Sequence, residues 1–239
     1  MALVMETSLK TAVVVPTYNE SDNIGILAQE ILSLPVQLVI VDDNSPDGTG
    51  EIADEWARKD SRVFVLHRPR KMGLGTAYIA GFKRALSLGA DQVITMDADF
   101  SHHPRYIPAL LTRSETADLV IGSRYVDAGG TLNCTLARRA LSRSANIFAR
   151  IALGLRAHDC TAGFRCYRRE VLESIDLDTI FSDGYSFLIE MLYRSQKMGH
   201  KIEEVPIIFE DRRRGASKIS RGEILKALYT VIRLSLTSK

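Results

Sequence analysis

Cysteine is scarce in this sequence, which has three in 239 residues, at positions 134, 160 and 166. An odd number without a Cys-x2-Cys pair argues against a disulfide scaffold. It favours a reduced, cytosolic protein in which cysteines pack as small hydrophobic residues. No apolar run approaches the roughly 20 residues of a membrane-spanning helix, and the first residues lack the basic and apolar regions of a secretory signal. We therefore expect any membrane contact to be peripheral or mediated by a partner.

The sequence also lacks a strong excess of charge and a glycine-rich phosphate loop. Its formal net charge is +2, so no global attraction to nucleic acid is expected. It contains no Walker-type loop, and Gly73 and Gly75 do not complete a G-x-G-x-x-G motif because position 78 is Tyr. This argues against a dinucleotide-dependent dehydrogenase, although residues 71–75 can still present backbone N–H groups to a phosphate.

What the sequence does contain is an alternation of apolar, β-branched runs with segments of helical periodicity. The runs predict strands at residues 11–15, 37–41, 63–66, 92–96 and 119–121. The segments between them predict helices at residues 22–32, 48–58, 74–88 and 104–111. Such alternation is typical of a Rossmann-like α/β fold, in which helices cover both faces of a mostly parallel sheet. With 46% hydrophobic residues, the chain can form a single domain with one substantial core.

Beyond about residue 128 the alternation loosens, and a long helix is predicted at residues 136–155. The arginines on or just past this helix are Arg138, Arg139, Arg143, Arg150 and Arg156. No acidic residue lies between Asp127 and Asp159. We expect this basic helix to attract an anionic acceptor or anionic lipid headgroups.

Three further elements are predicted near the carboxyl end of the chain, a helix at residues 185–197, a strand at 201–207 and an amphipathic helix at 222–236. The apolar face of the last helix consists of Ile224, Leu225, Leu228, Val231 and Ile232. This face either packs onto the domain core or docks onto a membrane or a small membrane subunit.

Polar segments follow three of the predicted strands, at residues 16–20, 42–48 and 97–99. Turns and helix N-caps use the same residue types, but ligands of open α/β sheets bind at the carboxyl ends of strands. Asp97 and Asp99 are two residues apart, which places both carboxylates on one side of an extended chain. Hard oxygen ligands of this kind suit Mg²⁺ or Mn²⁺, which would bridge to substrate phosphates.

Two other groups of residues have both a structural and a functional interpretation. His102 and His103 follow the acidic pair, but the other histidines show no metal-ligand spacing, so a structural role is preferred over a zinc or iron site. Residues 212–218 are either a solvated charge run or a mobile loop whose cations close over a diphosphate.

Five segments that occur in a fixed order are together a far more specific signature of a protein family than any one of them. They are residues 15–20, 41–49, 96–102, 122–125 and 212–218. In this order they resemble family 2 inverting glycosyltransferases with the GT-A fold, specifically the dolichol- or polyprenol-phosphate mannose synthases, across nearly the whole chain. The resemblance implies a single domain, with a nucleotide-sugar-binding half at about residues 10–127 and an acceptor-binding half at about residues 128–239.

The resemblance also implies roles for individual residues. Those assigned to the nucleoside site are Pro16, Thr17, Tyr18, Glu20, Val41 and Asp43, the last of which would read the base edge. Those assigned to the metal and diphosphate are Asp97, Ala98, Asp99 and Ser101. Those assigned to the lipid phosphate are Arg124, Arg138 and Ser142, and those assigned to the mobile loop are Arg212 and Lys218. Related enzymes have a Gln where Ser101 stands, which makes the third protein ligand of the metal a weaker one.

The implied activity is inverting transfer of mannose from GDP-mannose to a polyprenyl (dolichyl) phosphate with Mg²⁺ or Mn²⁺, on the cytoplasmic face of a membrane and without nucleic acid. Its catalytic residues would be Asp97, Asp99, Arg124 and Arg138. UDP-glucose is an alternative donor, because the contacts that select base and sugar cannot be read from the sequence. A sugar nucleotidyltransferase is disfavoured because residues 16–20 contain no glycine. A non-catalytic binding subunit is disfavoured by the intact acidic pair.

Overall fold

The computed structural model describes residues 9–210 and 221–236, without the side chains of residues 137, 138 and 221–225. Its strands are β1 (Thr11–Thr17), β2 (Gln37–Asp42), β3 (Val63–His67), β4 (Gln92–Thr95), β5 (Leu119–Ser123), β6 (Gly130–Leu132), β7 (Arg165–Arg168), β8 (Ile202–Pro206) and β9 (Ile208–Glu210). Its α-helices are α1 (Ser21–Leu32), α2 (Thr49–Lys59), α3 (Leu74–Ser87), α4 (Ile107–Ser114), α5 (Leu136–Leu153), α6 (Arg169–Ser174), α7 (Tyr185–Lys197) and α8 (Arg221–Leu236). Each predicted strand and helix is present close to its predicted bounds.

Seven of the strands form one sheet in the order β3-β2-β1-β4-β7-β5-β8, and β6 pairs with β9 in a separate ribbon. Neighbours in the large sheet are parallel, except that β7 runs antiparallel to both β4 and β5. The prediction of a mostly parallel, mixed sheet is confirmed. Strand β7 was not predicted, because arginines bound this short segment and Arg165 gives no local sign that it is fully buried.

Helices cover both faces of the sheet. Helices α1, α2 and α4 pack on one face, and α3, α5, α6, α7 and α8 pack on the other. The side chains of β1 alternate accordingly, with Val13 and Val15 on the first face and Val14 on the second. Helix α3 approaches β1 so closely that a Cβ at Gly81 would lie 2.2 Å from Val14 Cγ1. This close contact brings the amino end of α3 to the carboxyl edge of the central strands.

The carboxyl-terminal helix α8 packs against α7 and α5. It buries Val231 and Leu234, whereas Leu228 and Ile232 are 41% and 49% exposed. The predicted apolar face is therefore divided, since part of it joins the core and part faces outward. Within the described ranges, no helix combines the length and the apolar character needed to cross a membrane.

The cysteines behave as small core residues, with one exception. All three are free, and Cys160 and Cys166 are buried, whereas Cys134 is partly exposed. Burial raises the pKa of both buried thiols to about 12. These two thiols therefore stay protonated and act as hydrophobic side chains.

Candidate active site

The loops that follow β1 and β2 are tied together at the carboxyl edge of the sheet. Asp42, the last residue of β2, accepts hydrogen bonds from the hydroxyls of Thr17 at 3.0 Å and Ser45 at 2.6 Å. Asp47 accepts the backbone N–H of Ser21 at 3.1 Å. These two aspartates hold the strand-end loops in one conformation, which explains part of the acidic content of this segment without a ligand.

Asp43 lies beside this junction and pairs with one cation, while a second cation lies over the neighbouring ring of Tyr18. Its carboxylate pairs with Arg68, and both side chains are less than a tenth exposed. It also accepts the backbone N–H of Met72 at 3.2 Å. The Nζ of Lys71 lies 3.9 Å from the centre of the Tyr18 ring. Because a carboxylate can accept about four hydrogen bonds, Asp43 keeps acceptor capacity for a ligand while Arg68 fixes its orientation.

Two buried side chains hold Asp97 at the end of β4. The Tyr78 hydroxyl donates to Asp97 Oδ1 at 3.0 Å, and Nδ1 of His102 accepts the Asp97 backbone N–H at 3.4 Å. Burial, together with the charge of Asp97, raises the pKa of Tyr78 well above its ordinary value, so the phenol stays neutral. Burial lowers the pKa of His102 despite the neighbouring carboxylates. The structural role predicted for His102 fits this contact and its stacking on Phe164.

Asp99 and Ser101 form a tight turn with oxygen atoms suited to a cation. Phe100 between them has a φ of 60°, a region that bulky residues seldom adopt, and this lets the Ser101 N–H donate to Asp99 Oδ1 at 3.0 Å. The Ser101 hydroxyl is buried and has no hydrogen-bond partner among the described residues, which costs about 1–3 kcal/mol unless a ligand satisfies it.

The oxygen atoms of Asp97, Asp99 and Ser101 fit Mg²⁺ or Mn²⁺ in ligand type. In the part of the chain that the structure describes, no group of three or more His, Cys, Asp or Glu side chains could hold a metal ion. A cation bound here therefore needs oxygen atoms from water or from the substrate to complete its coordination. This agrees with the weak third ligand expected at position 101.

Arg124, just after β5, is clamped by a buried carboxylate. Its Nε and Nη2 donate to the two oxygens of Asp159 at 2.7 Å each. Asp159 is fully buried, and the Arg124 side chain is 13% exposed. Burial disfavours both charges, but the attraction and hydrogen bonds between them outweigh it, so the pKa of Arg124 is raised and that of Asp159 is lowered. Both groups are therefore charged, and the guanidinium has one fixed orientation.

Helix α5 is joined to this ion pair by side-chain hydrogen bonds. The Tyr125 hydroxyl donates to Ser142 Oγ at 2.8 Å. One turn along α5, the side-chain amide of the buried Asn146 donates to the Ser142 carbonyl at 2.9 Å and to Thr161 Oγ1 at 3.1 Å. Arg124 Nη2 donates to the same Thr161 oxygen at 2.9 Å. Ser142 and Arg124 therefore belong to one network.

A cavity of about 1550 Å³ connects the acidic strand ends with this network. The predicted site residues that line it are Pro16, Thr17, Tyr18, Glu20, Asp43, Asp97, Ala98, Asp99, Ser101, Arg124 and Ser142. Val41 does not line it, because its side chain is fully buried in the core beneath Gly81 of α3. The Arg138 side chain, and Arg212 and Lys218 entirely, lie outside the described residues.

Three residues of the site were missed by sequence reasoning. Tyr78 was noted only because it breaks a glycine motif, yet it holds Asp97. Asp183 accepts the Gly75 N–H at 2.9 Å at the first turn of α3, and its Ser-Asp-Gly context is typical of an ordinary turn. Asp159 did carry a signal, since it is the first acidic residue after the long basic segment.

The residues 12–176 match the family model described as glycosyl transferase family 2. The chain belongs to this family. Two relatives are similar to this glycosyltransferase over most of their length. The undecaprenyl-phosphate mannosyltransferase of Micrococcus luteus is 43% identical over 97% of this chain and 96% of its own. The polyprenol monophosphomannose synthase of Mycolicibacterium smegmatis is 46% identical over 93% of this chain and 85% of its own.

Solved structures similar to this glycosyltransferase confirm its GT-A fold. One is glucosyl-3-phosphoglycerate synthase of Mycobacterium tuberculosis in complex with Mn²⁺, UDP and glucosyl-3-phosphoglycerate, with a TM-score of 0.68 and 22% identity over 96% of this chain and 80% of that one. Another is a mannosyltransferase of Pyrobaculum calidifontis in complex with GDP-Man and Mn²⁺, with a TM-score of 0.62 and 17% identity over 95% of this chain and 65% of that one. At such identities the likeness concerns the fold.

Proposed function

We propose that this glycosyltransferase transfers mannose from GDP-mannose to a polyprenyl (dolichyl) phosphate with inversion, giving a polyprenyl β-phosphomannose. The observation that carries the proposal is one cavity lined both by Asp97 and Asp99 and by the clamped Arg124 with Ser142. The names of the two relatives support mannose as the transferred sugar and a polyprenyl phosphate as the acceptor. The Pyrobaculum calidifontis complex with GDP-Man shows that this fold can hold the proposed donor.

On the donor side, we assign the nucleoside to the wall built by the loops after β1 and β2. Tyr18 supplies an aromatic surface there, and Asp43, oriented by Arg68, accepts N–H groups from the base edge. The other residues of this assignment are Pro16, Thr17 and Glu20. Lys71 adds a positive charge beside the ring of Tyr18, which favours an anionic donor.

Asp97, Asp99 and Ser101 would hold Mg²⁺ or Mn²⁺ at the donor diphosphate. Such an ion, when bound, neutralises the negative charge that develops on the leaving diphosphate. Tyr78 contributes by keeping one oxygen of Asp97 in a fixed position. We further propose that Arg212 and Lys218 supply cations to the same diphosphate.

On the acceptor side, the chemistry requires positioning more than proton transfer. A phosphate monoester is already ionised near neutral pH, so its oxygen can attack the anomeric carbon without a strong general base. Arg124, together with Arg138 and Ser142 of α5, would hold this phosphate on the face of the sugar opposite the leaving diphosphate. Attack from that face gives inversion at the anomeric carbon. Because Asp159 fixes the guanidinium, little reorientation is needed when the acceptor binds.

The lipid part of the acceptor has an apolar surface next to the cavity. Exposed side chains that line the cavity include Leu136, at 80% exposure, Phe148, at 43%, and Leu228, at 41%. Arg139 and Arg143 of α5 also line it. Apolar and basic side chains on one helix fit a position at the surface of an anionic bilayer.

We therefore place the enzyme peripherally on the cytoplasmic face of a membrane, where a small membrane subunit could share this surface. In this arrangement residues 10–127 serve the nucleotide sugar and residues 128–239 serve the acceptor. The phosphate would reach Arg124 while the polyprenyl chain stays among the lipids.

The proposal is tested by incubating the purified protein with labelled GDP-mannose or UDP-glucose, polyprenyl phosphate and either Mg²⁺ or Mn²⁺, then extracting the lipid. We expect label from GDP-mannose in the organic phase, and a product whose one-bond C–H coupling at the anomeric carbon identifies a β-linkage. If label enters the organic phase only from UDP-glucose, UDP-glucose and not GDP-mannose is the donor. Absence of transfer from either donor would overturn the assignment.

A matched pair of variants links this activity to the acidic cluster. Asp99→Ala is expected to abolish transfer while the melting temperature stays close to that of the wild type. Glu55→Ala is the control, because Glu55 is exposed and forms a surface ion pair with Lys59. Turnover retained in Asp99→Ala would remove Asp99 from the mechanism.

A further inference from the structure

Thr161 lies in the cavity wall between the clamped arginine and helix α5. It is partly exposed and lines the cavity. Its Oγ1 is 2.9 Å from Arg124 Nη2 and 3.1 Å from Asn146 Nδ2. Neither the sequence pattern nor the resemblance pointed to this residue.

The identity of the Asn146 nitrogen follows from its second partner. Asn146 Oδ1 accepts the backbone N–H of Cys160 at 2.7 Å. A backbone N–H can only donate, so the atom it contacts is the amide oxygen, and the atom that faces Thr161 is the amide nitrogen. This nitrogen also donates to the carbonyl of Ser142 at 2.9 Å.

The two contacts determine the orientation of the Thr161 hydroxyl. A guanidinium nitrogen and an amide nitrogen are donors without acceptor capacity, and a hydroxyl oxygen has two lone pairs and one proton. Both lone pairs of Thr161 Oγ1 are therefore taken, and its O–H must donate elsewhere. No side chain or carbonyl in the described part of the chain accepts this proton.

Next to the Thr161 hydroxyl, Arg124 has a second donor group that no described residue uses, its Nη1. Its Nε is bound to Asp159, and the two hydrogens of its Nη2 are used by Asp159 and Thr161. Among the described residues, Nη1 has no acceptor. One hydrogen bond separates this guanidinium from the Thr161 hydroxyl, so a single anionic group can meet both.

We infer that Thr161 donates a hydrogen bond to an oxygen of the acceptor phosphate, next to the oxygen that Arg124 Nη1 binds. This inference rests on the proposed function, which places a phosphate monoester beside Arg124. Asn146 is a positioning residue, because its amide prevents the Thr161 proton from turning toward α5. The phosphate remains unprotonated throughout, and no covalent bond to Thr161 is formed.

The test compares Thr161→Val, which has nearly the same shape but no hydroxyl, with Thr161→Ser, which keeps the hydroxyl. A hydrogen bond to a charged group contributes enough that Thr161→Val should raise the KM for polyprenyl phosphate about 10-fold or more. The KM for GDP-mannose should stay within about twofold, and Thr161→Ser should restore the acceptor KM. Thr116→Val is the matched control, since Thr116 is exposed outside the cavity.

An unchanged acceptor KM in Thr161→Val, or an equal rise in both KM values, overturns the inference, because the effect would then not be specific to the acceptor. Thr161→Ala replaces the valine variant if circular dichroism shows that the latter is unfolded. Calorimetric binding of farnesyl phosphate to wild type and variant separates this test from the proposed function. Weaker binding by Thr161→Val supports the inference even if no sugar is transferred.

Discussion

At the scale of single residues, the pair of Arg124 and Asp159 shows how charge is maintained inside the cavity. Asp159 is fully buried, and two of its hydrogen bonds from Arg124 are 2.7 Å long. The coulombic effect of Arg165 lowers the pKa of the same carboxyl further. A buried pair adds little stability relative to an apolar pair, but a partner left alone is strongly destabilising.

Asp159→Asn is therefore expected to lower the free energy of unfolding by about 3 kcal/mol near neutral pH. Because the pKa of Asp159 is lowered in the folded protein, its contribution is present above the unfolded value of about 3.9 and is lost as pH falls through the lower folded value. Urea unfolding near neutral pH and at about pH 3 measures both effects. If the difference in free energy of unfolding between wild type and Asp159→Asn is as large at about pH 3 as near neutral pH, this account is contradicted.

The control for this substitution is Glu203→Gln. Glu203 pairs with Arg113 at 3.0 Å, but the two side chains are 25% and 51% exposed. Solvent and salt screen such surface pairs. We expect little change in stability from this variant, which separates the effect of burial from the loss of an ion pair as such.

At the scale of elements, the contact between α3 and β1 depends on the absence of a side chain at Gly81. A Cβ there would lie 2.2 Å from Val14 Cγ1, far inside contact distance. In α1, by contrast, a Cβ at Gly25 would meet Ile52 Cγ2 at an ordinary 3.7 Å. Replacing these two glycines by alanine should therefore change the stability in opposite directions.

Gly81→Ala is expected to lower the free energy of unfolding by about 1–3 kcal/mol through overpacking. Gly25→Ala should raise it by up to about 1 kcal/mol, because alanine is the better helix former and no neighbour must move. Thermal unfolding of both variants followed by circular dichroism makes the comparison. If Gly81→Ala is as stable as wild type, the helix is not held against the strand as closely as described.

Helices α5 and α8 leave apolar side chains uncovered on one side of the molecule. Ile151 is 79% exposed and Leu236 is 71% exposed. Exposed apolar groups of this size beside several arginines are expected at a bilayer surface. This surface belongs to the same side of the sheet as the cavity lining from α5 and α8.

Ile151→Glu is expected to reduce binding to vesicles of phosphatidylcholine and phosphatidylglycerol about 10-fold, since one apolar side chain no longer enters the lipid. Ile26→Glu is the control, because Ile26 is 57% exposed on α1, which packs on the opposite face of the sheet. Flotation of the three proteins with vesicles measures the bound fractions. Equal binding by all three would exclude α5 from the contact.

At the scale of the whole molecule, the site is assembled from distant parts of the chain. The loops after β1, β2 and β4 supply the acidic and aromatic wall, and residues from the loop after β5, from α5 and from the segment before β7 supply the opposite wall, which contains Arg124. A ligand that contacts these loops stabilises the folded state alone, so its binding should be visible in global unfolding.

GDP with Mn²⁺ at about 100 times its Kd should raise the free energy of unfolding by about 2.7 kcal/mol, which corresponds to roughly 5 °C in Tm for a protein of this size. Asp97→Ala should remove this shift. Asp178→Ala should keep it, because Asp178 is 77% exposed and pairs only with a surface lysine among the described residues. A shift that survives in Asp97→Ala would remove Asp97 from the donor site.

The local residue pattern alone specifies most of the secondary structure and one half of the site. Continuous apolar runs predict the parallel strands because burial on both faces selects apolar, β-branched residues, and polar segments at the ends of those runs mark the acidic wall. The basic helix was also evident, because it is a continuous stretch of chain. Such features depend on residues a few positions apart.

Tertiary structure decides the rest of the site. Strand β7 is short and contains Arg165, which is buried because carbonyls at residues 160, 162 and 188 accept its hydrogen bonds. Arg124 and Asp159 are separated by 35 positions, and Tyr78 reaches Asp97 across 19. The free energy of such pairs depends on burial and geometry that no local pattern encodes. The direction in which the Thr161 hydroxyl donates can therefore be inferred only from the folded structure, where its two hydrogen-bond partners are known.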